Sequence, residues 1–272
     1  MIGYREIASG LRQLGLDPAA PVIVHASLSA FGEVRGGTGT LLGALLASQR
    51  SVMMPAFTYK TMLVPEDGPA DNGLDYGQAR GQNLQAEFYK PELPADPSLG
   101  SLSETLRVRL ESRRSSHPIL SFTGVNVEGA LACQALSEPL APIGELAQAG
   151  GWVLLLGVNQ TVNTSLHYAE RQAGRPQFTR WALTYEGVRE CPQFPGCSNG
   201  FEKASAWLDD LTRRVQIGGA QVRAIPLGGL IERIKAAICE NSQAFLCDRP
   251  DCALCGAVRR RLQVTPGGAD GL

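Results

Sequence analysis

Apolar side chains recur at helical spacing through residues 4–14, which predicts an opening helix. Residues 21–26, Pro-Val-Ile-Val-His-Ala, then form a short continuous apolar run, the pattern of a buried strand. The loop 27–39 holds four glycines, residues 40–48 read as an apolar helix, and 51–57 as a second strand. Strand and helix patterns are paired again at 118–126 with 128–136, at 151–157 with 163–171, and at 221–226 with 228–240. A strand-like run at 181–188 interrupts the alternation, and an amphipathic helix is expected over 201–215. Alternating elements of this kind predict a layered α/β fold.

Residues 60–100 carry many Pro, Gly, Asp and Asn and little periodicity. Long loops in compact domains are commonly functional, so residues 58–100 are expected to be a substrate-facing insertion. The expected organisation is one domain over 1–265, with a cysteine-rich C-terminal lobe at 190–262 and a flexible tail at 266–272. No internal repeat is visible.

Composition narrows the function classes. A chain of 272 residues that is 44% hydrophobic buries a substantial core. Its 25 basic and 26 acidic residues leave a net charge of -1, which provides no field for gathering nucleic acid or an anionic membrane. No apolar run approaches the roughly 20 residues that span a bilayer, and the start lacks a leader pattern. The expected setting is the cytoplasm and the expected partner a small molecule.

The three histidines each lie near a junction of an apolar strand with a loop or helix start, where α/β folds place ligand sites. His167 follows the strand 151–157 and a polar turn, and Glu170 lies three residues further on. Residues three apart share a helix face, so this carboxylate suits a role orienting the imidazole of a general base. Glu186 and Glu190 are alternative orienting acids. Asn163, Thr164 and Ser165 precede His167, with Thr164 and Ser165 as candidate caps or carbonyl donors. His25 ends the first strand and runs into Gly36-Gly37-Thr38-Gly39 before a helix, a setting for the phosphates of a nucleotide-bearing cofactor. It is neither a dinucleotide fingerprint nor a P-loop. His117 follows Arg113-Arg114-Ser115-Ser116, a group suited to phosphate or amide contacts or to a solvated turn.

Taken together, these segments resemble the aminoglycoside 3-N-acetyltransferase family. The resemblance is carried in order by His25-x-Ser-x-Ser-x-x-Gly32 with Gly36-Gly37, by Gly100-x-Leu-x-Glu104 with Arg114-Ser-x-His117-Pro-x-x-Ser121, and by Asn163-Thr-Ser-x-His167-x-Ala-Glu170. It implies a three-layer α/β/α sandwich distinct from the common acetyltransferase fold, acetyl-CoA as donor, and direct transfer to an amine at the 3-N position of an aminoglycoside-like acceptor. The catalytic histidine falls on His167, with Glu170 beside it. The cofactor contacts fall on His25, Ala26, Ser27, Leu28, Ser29, Gly32, Gly36, Gly37 and Thr38, and on Arg114, Ser116 and Ser121. Tyr59, Asp75, Asn163 and Thr164 are the expected acceptor contacts, and Glu66, Asp67, Asp71 and Glu87 are further acids available to a cationic acceptor. Another small amine remains an alternative acceptor, since residues 159–162 and the region beyond 187 depart from the family pattern. A CoA-binding module without catalysis is the non-enzymatic alternative.

Seven cysteines are present, six of them after residue 190. Cys247-x(4)-Cys252-x-x-Cys255 is a metal-ligand pattern, with a fourth thiol available from Cys191 or Cys197 for structural zinc. Cys133 and Cys239 read as helix core positions. Gly196-Cys-Ser198-Asn-Gly200 matches a hydrolase elbow, which makes a serine esterase the rival chemistry. No strand is predicted just before it, and no histidine follows it. Ser198 or Asn199 reads instead as a cap for the helix expected at 201–215.

Overall fold

The computed structural model describes residues 1–264. The tail expected to be flexible, 266–272, lies outside the described residues. In chain order the elements are α1 (Tyr4–Gln13), β1 (Val22–Ala26), α2 (Gly37–Ser48), β2 (Val52–Pro55), β3 (Met62–Leu63), α3 (Arg80–Asn83), α4 (Ser101–Arg107), β4 (Arg113–Arg114), β5 (Phe122–Val125), α5 (Glu128–Ala132), α6 (Ala141–Gln148), β6 (Trp152–Leu156), α7 (Thr164–Gln172), β7 (Phe178–Thr184), β8 (Gly187–Phe194), β9 (Arg213–Ile217), β10 (Ala220–Pro226), α8 (Leu227–Glu240) and α9 (Ala253–Val264).

A seven-stranded mixed sheet runs in the order β4-β5-β2-β1-β6-β10-β9. Its centre is parallel, with β1 between β2 and β6, and its flanks are antiparallel. The continuous apolar runs of β1, β2 and β6 follow from this position, because a central strand is covered on both faces. Ile23, Met53, Val153 and Leu155 face the cluster built with α5, α6, α7 and α8. Their neighbours Val22, Val24, Met54 and Leu154 face the cluster built with α1, α2 and α4.

The strand-like 181–188 is resolved into a hairpin. β7 and β8 pair antiparallel, and β3 adds to β7 to complete a second, three-stranded sheet. The excursion 58–100 contributes β3, the short α3 and the 3-10 turn Pro97–Leu99.

The expected helix over 201–215 is not formed. Residues Phe201–Trp207 and Asp209–Leu211 are 3-10 turns, and Arg213–Ile217 is the edge strand β9. The cause is the tight turn at Gly218-Gly219, which registers Ile217 against Ala220 and draws the segment into the β9–β10 hairpin. Gly218 has φ +57°, and a Cβ there would lie 2.7 Å from the Phe31 carbonyl oxygen, so the position suits glycine. Cys133 and Cys239 are also not core positions, and both are exposed. α5 ends at Ala132, just before Cys133, while α8 buries Leu230, Ile234 and Ala237 and turns Cys239 outward.

Candidate active site

The carboxyl ends of β1 and β6 open onto a cavity of about 1150 Å³, large enough for a nucleotide-bearing donor and a small acceptor together. The β1 end, the turn at 158–162 and the start of α7 form its floor; Pro97–Leu99 and the segment to Ser103 close one side. Gly100 permits this approach. It has φ +80°, and a Cβ would meet the Ala26 carbonyl oxygen at 2.9 Å. Tyr59 and Met62 from the excursion, Arg180 on β7, the loop following β8 and Leu254 on α9 complete the wall.

His167 enters this cavity from the first half of α7. The Asn163 carboxamide oxygen caps the helix by accepting from the Ser165 N–H at 3.0 Å, while its Nδ2 donates to Gln160 Oε1 at 2.8 Å. These bonds fix the turn that aims the imidazole. His167 Nδ1 lies 2.8 Å from Glu170 Oε2, and the ring leans on Phe201 with centroids 4.5 Å apart. The other Glu170 oxygen accepts from Arg175 Nη1, and Arg175 Nη2 donates to the carbonyls of Ser242 and Ala244 at 2.8 and 2.7 Å. Both members of the Glu170–Arg175 pair are buried. With one Glu170 oxygen taken by the guanidinium, the other faces Nδ1 as an acceptor, an arrangement that places the ring proton on Nδ1 and leaves Nε2 with the free lone pair. Arg175 was not among the sequence candidates. The local signal for it is slight: an arginine beyond the helix end, five residues after Glu170. Glu186 pairs with Arg189, and Glu190 is exposed on β8.

His25 also lines the cavity, but its chemistry differs. It is 7% exposed, its Nε2 has no hydrogen-bond partner among the described residues, and burial lowers its pKa to about 3. It is therefore a neutral wall residue. His117 lies outside the lining. Its Nδ1 accepts from the N–H groups of Ile119 and Leu120 at 3.1 and 3.0 Å, and burial lowers its pKa to about 4.

Of the expected cofactor contacts, His25, Ala26, Ser27, Leu28, Ser29 and Gly32 line the cavity together. Gly36, Gly37 and Thr38 lie further along, at the start of the twelve-residue α2. Arg114 and Ser121 are drawn away from the lining. Arg114 braces the excursion through the carbonyls of Pro91, Leu93 and Ala56, and Ser121 donates to the Ala56 carbonyl at 2.8 Å. Ser116 is exposed outside the lining. Among the expected acceptor contacts, Tyr59, Asn163 and Thr164 line the cavity, whereas Asp75 is exposed elsewhere. Glu66 and Asp67 are likewise exposed; Asp71 pairs with Arg260, and Glu87 with Lys60.

The charged lining residue that sequence reasoning missed is Arg180. It is 6% exposed, stacked near Phe178 and Phe194, and donates to the carbonyls of Thr179 and Asn72 without a carboxylate partner among the described residues. Burial lowers its pKa to about 10, so the guanidinium remains charged at neutral pH. Ser198 also reaches the lining, in a loop after β8, and its hydroxyl has no hydrogen-bonded base among the described residues.

The model of the family described as aminoglycoside 3-N-acetyltransferase matches residues 23–238, from β1 to the end of α8. The chain belongs to this acyltransferase family. Among curated relatives, aminoglycoside N(3)-acetyltransferase VII of Streptomyces paromomycinus is 31% identical over 242 residues, covering 82% of this chain and 81% of its own. Among solved structures, the apoenzyme of aminoglycoside acetyltransferase AAC(3)-IVa superposes with a TM-score of 0.77 at 25% identity, covering 94% of this chain and 96% of that one. AAC-IIIb, solved as a binary complex with CoASH, superposes with a TM-score of 0.71 at 23% identity over 87% of this chain and 96% of that one. The shared architecture is mixed α/β, with the large mixed sheet and its helices. No helix among the described residues is long and apolar enough to cross a membrane.

Proposed function

We propose that the protein transfers an acetyl group from acetyl-CoA to an amine by direct attack, with His167 as general base. The observation that supports this is the buried array His167–Glu170–Arg175 at the edge of the cavity. An ammonium ion has no lone pair to donate. Neutral His167 accepts its proton at Nε2, the freed amine bonds to the thioester carbonyl carbon, and the C–S bond breaks as the tetrahedral adduct collapses. The imidazolium gives its proton to the departing thiolate, and the restored imidazole takes the second proton from the adduct nitrogen and passes it to solvent, so that amide, free thiol and one released proton result. General-base catalysis of this kind is worth typically 10²- to 10⁴-fold, and holding the two reactants together supplies further rate. Glu170 stabilises the imidazolium, and Arg175 holds Glu170 in place. The Thr164 hydroxyl, which makes no hydrogen bond among the described residues, stands at the start of α7 as a donor to the acetyl oxygen.

In this reading the donor lies along His25–Gly32, and the start of α2 at Gly36–Thr38 receives its phosphates, since a helix N-terminus favours anions. The chain is read as one acetyltransferase unit, a three-layer α/β/α sandwich distinct from the common acetyltransferase fold.

The relatives' names point to an aminoglycoside acceptor. One observation favours the alternative of another small amine: the described lining residues include Arg180 and no Asp or Glu. A polycationic sugar would lose hydration there without gaining counter-charge. An acceptor with fewer positive charges, or with a carboxylate for Arg180, suits the wall better.

The test is incubation with acetyl-CoA and a panel of amines, including aminoglycosides and amino acids, while free thiol is followed. CoA binding without thiol release on any amine would favour the binding module. Ester hydrolysis abolished by Ser198→Ala would favour the esterase. Arg180→Ala lowers activity on acceptors carrying a carboxylate; on aminoglycosides it leaves activity unchanged or raises it.

A further inference from the structure

Four thiols from separated parts of the chain converge behind the cavity wall. Cys197 lies in the loop after β8, Cys247 in the segment after α8, Cys252 just before α9, and Cys255 in its first turn. Their Sγ atoms all lie within 4.8 Å of one another, and none is in a disulfide. Zinc–thiolate bonds of about 2.3 Å place the sulfurs of a tetrahedral site about 3.8 Å apart, so this cluster has the dimensions of such a site. Backbone donors already face two of the sulfurs: the Cys247 N–H points to Cys255 Sγ and the Asn199 N–H to Cys197 Sγ, both at 3.4 Å. Such N–H···S bonds stabilise thiolates around a metal. Cationic side chains stand close by, with Arg259 donating to the Cys247 carbonyl at 2.7 Å and Lys203 to the Leu246 carbonyl at 3.1 Å. Lys203 is already paired with Asp248, so it is Arg259, which has no carboxylate partner among the described residues, that offsets part of the negative charge of a four-thiolate site.

The local packing gives the fold a use for a metal. The hydrophobic cluster around these thiols is a small satellite of Phe178, Leu246, Ala257 and Val258 with Cys247 and Cys255, separate from the two clusters that flank the main sheet. Small lobes with so little apolar area are commonly fastened by a metal or a disulfide. Cys191, by contrast, is fully buried on β8 within the main core, and burial pushes its thiol pKa up to about 12.

We propose that Cys197, Cys247, Cys252 and Cys255 bind one structural zinc ion that fastens the loop after β8 to α9. Each thiol that is protonated beforehand releases its proton as its Zn–S bond forms. The clamp acts at a distance on the site: Gly196, Ser198 and Leu254 line the cavity, and the carbonyls of Ser242 and Ala244 that hold Arg175 lie in the same lobe.

The experiment is metal analysis of the full chain purified without chelator, followed by cobalt exchange. The expected result is about one zinc per chain. Cobalt should replace it, with the intense thiolate-to-cobalt absorption and the visible bands of a tetrahedral site. Cys133→Ser and Cys239→Ser keep the full metal content, because these exposed thiols lie outside the cluster. Cys197→Ser or Cys252→Ser reduces metal retention at least tenfold against a chelator. Should these variants fail to fold, titration of the wild-type protein with a mercurial decides: four thiols released together with one zinc ion support the site. Wild-type protein that takes up neither zinc nor cobalt overturns the proposal, as does iron with its own visible absorption, or full retention in both cluster variants. None of these readouts depends on the transfer reaction.

Discussion

His167 and His117 are both buried histidines beside apolar strands, yet their partners give them opposite roles. At His167 the Nδ1 position meets the carboxylate of Glu170, itself held by Arg175, and Nε2 is left toward the cavity. At His117 the Nδ1 atom accepts two backbone N–H groups, and the ring serves as an acceptor that ties the turn before β5. A carboxylate partner favours the imidazolium that a base must become; amide donors favour the neutral ring. A buried histidine is therefore read from what its nitrogens meet rather than from its depth.

The largest expected effect comes from removing the acid under His167. Glu170→Ala leaves the Arg175 guanidinium buried without a counter-charge, and breaking a buried pair from one side costs about 3–5 kcal/mol. Urea unfolding measures it. A loss below about 1 kcal/mol would mean that the pair does not organise the site. Next comes His167→Ala, expected to retain CoA affinity while transfer falls at least about 10²-fold, equivalent to about 2.7 kcal/mol in the barrier. Unchanged turnover would remove His167 as base.

The same change at the other histidine acts on the fold. His117→Ala strips the acceptor from two buried amides and should cost about 1–3 kcal/mol in unfolding, with transfer per folded molecule unchanged. A loss of transfer comparable with that of His167→Ala would erase the contrast between the two sites. The smallest effect is on pH dependence. His25 and His117 have folded pKa values of about 3 and about 4, below the ordinary value near 6.5. The unfolded chain binds more protons in that interval, so their stabilisation is present above about pH 6.5 and declines as pH falls toward 4. The slope is at most about 1.4 kcal/mol per pH unit for each ring. Comparing unfolding at pH 7 and pH 5 in wild type and His117→Asn checks the sign: the variant should lose less on acidification.

Much of the main sheet was legible in the sequence because its central strands are covered on both faces and so consist of unbroken apolar runs. The runs at β1 and β6 and the helices after them were readable for this reason, as was the i,i+3 relation of His167 to Glu170. β9 was not. Its five residues are compatible with an amphipathic helix, and only pairing with β10 across Gly218-Gly219 makes them a strand. The excursion hid its organisation in the same way, since Arg114 braces it through carbonyls more than twenty residues away along the chain.

The cavity wall divides along similar lines. Short-range order placed His25 to Gly32 and Asn163 to His167 at the ends of strands, and local spacing alone was enough for that. The choice of Arg180 as the charged wall residue, the release of Asp75 to the surface and the selection of Cys197 over Cys191 as the fourth thiol came from tertiary structure. Sequence by itself determined the periodic elements and the pairing of His167 with its adjacent acid, because helix and strand repeats fix which neighbours share a face. Partners brought together over long separations were decided by the packing of α9 against the second sheet and of that sheet against the main core, where burial and counter-charge select among residues that local pattern leaves equivalent.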